Sequence, residues 1–298
     1  MRKLISLTLA LLVISPMNSA HADVLTLNSY DYVSVSDIWS VEFSPDGSML
    51  YFAENGSNDG LRRISTTNFL ANLAPVDTAT DGYNTFRSTH PSWQISDLEV
   101  TSAPGKGGHS WVYATAGNLE EDVTPADSLS HTTASIVWAI DRTTNQVEWM
   151  PTKRASGIWQ IDGMYALTKT PDDRYVYAFG YGNGYESGAE LFKYSTATNT
   201  QVGRGIPIDG SFPVADNTNV YYLSGTGLYK SVIDGNNSSN NGDSAPTAMN
   251  INWTNTAYNF TDWSSLSLVN GELYLTSSTN DVIGVVDPVS LKGTTYTI

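Results

Sequence analysis

The chain has 298 residues, with 30 acidic against 15 basic side chains, a formal net charge of −15 and no cysteine. The absence of thiols excludes disulfides, thiol catalysis and cysteine-ligated metals, and the acidic excess argues against nucleic acid and anionic lipid as partners. An aromatic complement of 17 Tyr, 8 Trp and 8 Phe points instead to a packed β protein.

The opening MRKLISLTLALLVISPMNSAHA reads as a secretory signal peptide. Arg2 and Lys3 form the basic start, Leu4 to Ile14 the apolar run, and Ala20-His21-Ala22 the small-x-small cleavage signature. Cleavage after Ala22 is expected to release one domain, residues 23–298, into the periplasm or the medium, without a membrane anchor. Loss of Arg2 and Lys3 takes its formal charge to −17. No later stretch approaches the roughly 18 uninterrupted apolar residues that a membrane helix needs.

Beyond the leader the sequence repeats itself, and repeats of this length signal a modular fold. The first unit, around SVEFSPDGSMLYFAEN, predicts a strand, a turn at Pro45-Asp46-Gly47, a second strand about Tyr51 and a third ending at Ile64. The second turns at Pro104-Gly105 and has Tyr113 and Ile140 at the matching places. The third turns at Pro171-Asp172-Asp173, with Tyr177 and Tyr194. The fourth turns at Asp216-Asn217, with Tyr221 and Ile233, and the fifth at Asn270-Gly271, with Tyr274 and Val286. Proline presets φ while Gly and Asn tolerate positive φ, so each turn reads as a hairpin connection. No segment after the leader keeps a 3.6-residue apolar period, so no helices are expected.

Three clear strands per unit, with a fourth implied in each connection, predict four-stranded meanders packed radially as a β-propeller. Five blades are expected, or six if Phe69 to Pro91 hides a degenerate one. VLTLNSYDYVS at the N-terminus and GTTYTI at the C-terminus are both strand-like, and one is expected to close the ring by completing a blade begun by the other.

FSPDGSMLYFAEN, LTKTPDDRYVYAFG and the IDRTTNQV turn resemble bacterial secreted propellers of the YVTN and lactonase-like superfamily. The resemblance covers most of residues 23–298 and is carried by generic blade motifs. It implies a binding propeller for carbohydrate or protein, a lactonase or a lyase. WSVEFSPDGSMLYFAEN is also similar to the calcium-dependent gluconolactonase group. That group's Gly-Glu-Gly-Pro start supplies a metal-ligating glutamate, and here Ser36-Asp37-Ile38-Trp39 stands in its place.

One aspartate precedes each hairpin turn: Asp37, Asp97, Asp162, Asp209 and Asp262, by 8, 7, 9, 7 and 8 residues. Such spacing predicts equivalent positions near one mouth of a central channel. Converging carboxylates there need a cation, a proton or hydrogen-bond donors, and hard oxygen ligands suit Ca²⁺. The alternative is that each Asp accepts backbone N–H bonds as a loop strut. Trp39, Trp93, Trp159 and Trp263 lie within four residues of those aspartates, where they either stack on sugar rings or fill gaps between blades. Trp111 and Trp138 fall inside strands and are assigned to the core. His90, His109 and His131 belong to the first and second units, without zinc-ligand spacing, and one of them is a candidate general acid or base.

The function expected first is therefore a monomeric binding propeller recognising a glycan, small-molecule or protein ligand at the channel mouth, with Ca²⁺ as the candidate cofactor. The alternative is a metal-assisted hydrolase or lyase acting in the channel. A quinone-cofactor dehydrogenase ranks last, because the units lack tryptophan-docking repeats.

Overall fold

Each anticipated turn connects the first two strands of an antiparallel meander. The computed structural model describes residues 38–54, 60–70, 76–77, 94–102, 104–117, 137–150, 163–181, 189–208, 210–224, 227–235, 241–258, 264–277 and 281–297. The first meander comprises β1 (Ile38–Phe43), β2 (Met49–Glu54), β3 (Gly60–Ser65) and β4 (Val76–Asp77), and the second β5 (Gln94–Val100), β6 (Trp111–Gly117), β7 (Val137–Asp141) and β8 (Val147–Met150). The third holds β9 (Gly163–Lys169), β10 (Tyr175–Tyr181), β11 (Ala189–Ser195), β12 (Thr200–Gln201) and β13 (Ile206–Ile208), the last two both pairing with β11. The fourth is β14 (Gly210–Ala215), β15 (Asn219–Ser224), β16 (Gly227–Val232) and β17 (Thr247–Ala248). In the fifth, β19 (Ser264–Val269), β20 (Glu272–Ser277), β21 (Val282–Asp287) and β22 (Lys292–Thr297) are joined by β18 (Asn252–Trp253), parallel to β22.

Two details depart from the sequence reading. A five-residue helix, α1 (Thr66–Leu70), follows β3, where Ser65 Oγ accepts the Asn68 N–H at 3.0 Å. The C-terminal GTTYTI belongs to β22, which pairs along its length with β21, and its other edge meets β18 and then Asn255. This segment is thus the fourth strand of its own meander. The VLTLNSYDYVS segment lies outside the described residues.

The core explains why the second strands carry unbroken apolar runs instead of alternation. Val112 and Ala114 face the first meander, packing with Tyr51, Leu61 and Leu98, whereas Trp111 and Tyr113 face the third, packing with Val176, Phe192 and Tyr194. In β10, Val176 and Ala178 look back while Tyr177 and Phe179 look forward to Val220 and Tyr222. In β15, Tyr221 and Leu223 pack forward onto Leu266, Leu273 and Leu275. A strand buried on both faces must be apolar at every position. Trp111 and Trp138 are core residues, as expected. Four apolar seams thus join the five meanders in chain order. Among the described residues no core cluster joins the fifth to the first, and Val269 and Tyr296 of the fifth stay about half exposed, at 47% and 56%.

The first strands pack in the same succession, β1 on β5, β5 on β9, β9 on β14 and β14 on β19. Each of the first four carries one extra residue relative to its partner strand: Trp39 in β1, Ser96 in β5, Tyr165 in β9, and one residue between Ser211 and Val214 in β14. Such bulges bend a strand and re-aim the side chains that follow.

Candidate functional site

Immediately after the β5 bulge comes Asp97, which ties three meanders together. Its Oδ1 accepts from Ser40 Oγ of β1 at 2.8 Å and from the Leu98 N–H at 2.9 Å, and its Oδ2 accepts from the Leu167 N–H of β9 at 2.7 Å. Removal from water pushes this carboxyl's pKa up, more than the three hydrogen bonds pull it down. Asp97 therefore does the work of a strut.

Strand register separates Asp97 from the other candidate aspartates. Pairing matches Asp97 with Thr115, Ser40 with Ala53, Ala166 with Phe179, Ser211 with Leu223 and Ser265 with Thr276. The equivalents of Asp97, two residues past each second-strand tyrosine, are thus Ser40, Ala166, Ser211 and Ser265. Asp97 stands fourth in β5, whereas Asp37, Asp162, Asp209 and Asp262 precede their first strands in the chain. The equivalence expected from counting back to the turn does not hold for Asp97, because three residues separate β5 from Pro104 and only one separates β1 from Pro45. Asp37, Asp162, Asp209 and Asp262 lie outside the described residues, as do Trp93, Trp159 and Trp263, and of Trp39 only the backbone is described.

The same register exposes an acidic pair that sequence spacing concealed. Glu42 is matched with Tyr51 and Glu99 with Tyr113, so the two glutamates occupy equivalent places on adjacent first strands. Thr168, Val214 and Ser267 hold that place in the remaining meanders, opposite Tyr177, Tyr221 and Tyr274. Burial pushes Glu42 up from 4.5 to about 7, with Lys169 opposing and Asp97 adding. Glu99 is raised well above its ordinary value, first by burial, then by the Glu42 and Asp97 charges, against Lys169, while Asp173 adds a further rise. Lys169 itself binds Asp173 at 2.7 Å, and Asp173 also accepts from Ser102 N–H at 2.6 Å. Glu42, Asp97, Glu99 and Lys169 thus form one electrostatically coupled patch on β1, β5 and β9. In their acid forms the two glutamates can both donate and accept hydrogen bonds.

The patch does not make a cation cage. Asp97 already satisfies both oxygens with N–H and O–H donors, and among the described residues no group of three or more His, Asp or Glu is placed to hold a metal.

Of the three histidines, only His109 lies among the described residues. It stacks on Trp111 with ring centroids 6.3 Å apart, and its Nδ1 meets the Asp141 carboxylate. Burial pushes Asp141 up, but the bonds from His109 and the Thr143 and Thr144 N–H groups outweigh it and leave the carboxyl below its usual range. The ring is oriented, as a general base would be, yet Asp141 is its only side-chain hydrogen-bond partner among the described residues. Among the described residues no nucleophile is hydrogen-bonded to the pair's imidazole.

A second ionic cluster, unanticipated from sequence, joins the third and fourth meanders. Lys193 of β11 is fully buried, and its Nζ donates to Asp234 Oδ1 at 2.6 Å and to Asp243 Oδ1 at 2.7 Å while lying 3.9 Å from the Tyr175 ring centroid. Tyr177 donates to Asp243 Oδ2 at 2.9 Å, and burial beside that carboxylate raises the phenol's pKa. Every charge in this cluster is paired, which is the condition for burying it. It locks a seam and offers nothing to a ligand.

No family model matches the chain, and no curated protein matches it. Among solved structures, Kuenenia stuttgartiensis hydrazine synthase, a β-propeller-containing protein, is similar with a TM-score of 0.51 and 12% identity, over 86% of this chain and 66% of that one. The crystal structure of a nidogen/laminin complex gives a TM-score of 0.47 with 10% identity, over 88% of this chain and 80% of the other. The hydrazine synthase likeness is one of fold, an all-β array of antiparallel sheets of the β-propeller kind.

Proposed function

We propose that the chain is a secreted five-bladed β-propeller of the YVTN and lactonase-like type. In this reading it binds a glycan at the end of its axis where β1, β5 and β9 meet. One observation carries this reading: protonatable Glu42 and Glu99 stand at equivalent places on adjacent first strands, without a hydrogen-bond donor of their own among the described residues. Acid groups of this kind suit hydroxyl-rich, uncharged ligands, which accept and donate in turn. The seams between successive meanders support the radial arrangement, and closure of the ring is part of the proposal.

A glycan array followed by calorimetric titration of the hits tests the assignment. Binding should weaken as pH rises through about 7 and Glu42 ionises, and Glu42→Gln should flatten that dependence. An array without hits, or binding equally strong at every pH and in both proteins, would overturn it. Calcium is a separate part of the reading, resting on Asp37, Asp162, Asp209 and Asp262. A calcium-dependent rise in melting temperature that Asp162→Asn weakens is the expected result.

The raised pKa of Glu42 favours a second reading, a lactonase-like hydrolase or lyase, since a carboxyl titrating near 7 is suited to general acid or base work. Turnover in a lactone screen that Glu42→Gln abolishes would select that reading over simple binding.

A further inference from the structure

The seam between the first two meanders presents two guanidinium groups that no carboxylate among the described residues pairs with. Arg63 lies on β3, matched in register with Tyr51 of β2. Arg142 follows β7 in the turn to β8 and reaches across the seam. Its Nε donates to the Tyr51 hydroxyl at 3.0 Å, its Nη1 to the Thr101 carbonyl at 3.4 Å, and its guanidinium carbon lies 5.6 Å from the Tyr51 ring centroid. Arg63 in turn donates from Nη1 to the Arg142 carbonyl at 3.5 Å. Both side chains are half-buried, and among the described residues both are held by neutral oxygens.

Lys106, Lys169, Arg174 and Lys193 each have a carboxylate within ion-pair distance. Among the described residues Arg63 and Arg142, brought together from different meanders, have none. Asp46, in the β1–β2 turn, feels the Arg142 charge only as the weakest of the influences on it, and its Oδ1 accepts from Ser44 and Ser48. Tyr51 relates the two: Arg63 is its register partner and Arg142 lies over its ring. Each guanidinium carries five N–H donors in a rigid fork, and the three neutral acceptors use only one or two on each.

We propose that Arg63 and Arg142 form a binding site for an oxyanion (carboxylate, sulfate or phosphate) at the seam of the first two meanders. Tyr51 is its platform: the hydroxyl fixes Arg142 Nε, leaving Nη2 free, while Arg63 keeps Nε and Nη2 free. A planar or tetrahedral oxyanion bridging two forks gains charge-assisted bonds from both. The site is separate from the Glu42 and Glu99 patch and does not depend on the ligand proposed there.

The test follows the Arg Nε–H resonances of the full chain by NMR during titration with sodium phosphate, sodium sulfate and sodium galacturonate, at ionic strength held constant with sodium chloride. Saturable shifts of the Arg63 and Arg142 signals with at least one oxyanion are expected, and the effective oxyanion identifies which source chemistry the site prefers. Arg63→Gln should weaken that binding about 10-fold or more, the value of one lost charge-assisted pair. Arg63→Lys, which keeps the charge and loses the fork, should weaken it as well and serves if the Gln variant does not fold. Shifts that track chloride equally, absence of saturation with all three oxyanions, or unchanged affinity in the variants would overturn the proposal.

Discussion

Replacing Glu42 with glutamine should stabilise the protein increasingly as pH rises. The carboxyl's pKa in the folded chain is about 7 against 4.5 in the unfolded reference, so the fold holds the proton more tightly than the unfolded chain does. Stability from this group is then fully present below 4.5 and is lost as pH climbs to about 7. A difference of about 2.5 units at about 1.4 kcal/mol each is about 3 kcal/mol, an upper figure for a half-buried side chain near Lys169. Glutamine keeps the shape and cannot ionise. Thermal melts of both proteins at several pH values measure the effect as a difference, which cancels the contribution of every other titrating group. With about 2–4 °C per kcal/mol for a chain of this size, the Glu42→Gln advantage should grow by several degrees between pH 4.5 and 7 and level off above. A melting difference that is flat across that range, or that turns against glutamine as pH rises, would refute the burial of this carboxyl between β1 and its neighbours.

Three further outcomes follow from the packing. Lys193→Met should cost about 3–5 kcal/mol in urea unfolding, because it leaves the buried Asp243 without its cation, while the half-exposed Asp234 keeps Arg174. Asp97→Asn should cost about 1–3 kcal/mol, since an amide sets a donor against one of the three groups that now donate to the carboxylate. The loss should be the same with calcium as with chelator. Gly293→Ala should lower the melting temperature by the equivalent of about 1–3 kcal/mol, because a Cβ there would come within 2.6 Å of the Trp253 ring and 2.7 Å of Ile251 and push β18 off β22. Limited proteolysis after Trp253 would report that detachment.

Turn chemistry and the second-strand tyrosines made the meanders readable in advance, because hairpin geometry is local. Pro45-Asp46-Gly47 and Asn270-Gly271 sit between paired strands, with Gly47, Asn270 and Gly271 at positive φ. The Glu42 and Glu99 equivalence was hidden for a physical reason. Tyr51 stands nine positions after Glu42, but Tyr113 stands fourteen after Glu99, because the β5–β6 connection carries an extra turn of 3₁₀-helix at Lys106–Gly108. Pairing across the strand, not distance along the chain, sets which side chains share a level. Asp97 illustrates the converse: its distance to the turn resembles that of Asp37, yet it stands in the middle of a strand. Lys193 finds its partners 41 and 50 residues away, and Arg142 meets Tyr51 at a separation of 91. Contacts that remote depend on which meander stacks on which, and no local pattern records that order.

The stacking of first strands is the foundation of the Glu42 and Glu99 patch, and a chain without cysteine offers a clean background for testing it. Ser40→Cys with Asp97→Cys places thiols on two side chains now hydrogen-bonded at 2.8 Å, across 57 residues of sequence. Under mild oxidant this pair should lose both free thiols in the monomer, while Ser40→Cys with Ser211→Cys, two strands further along the succession, should keep them. A chain that cross-links the second pair and leaves the first reduced would contradict the packing of β1 against β5.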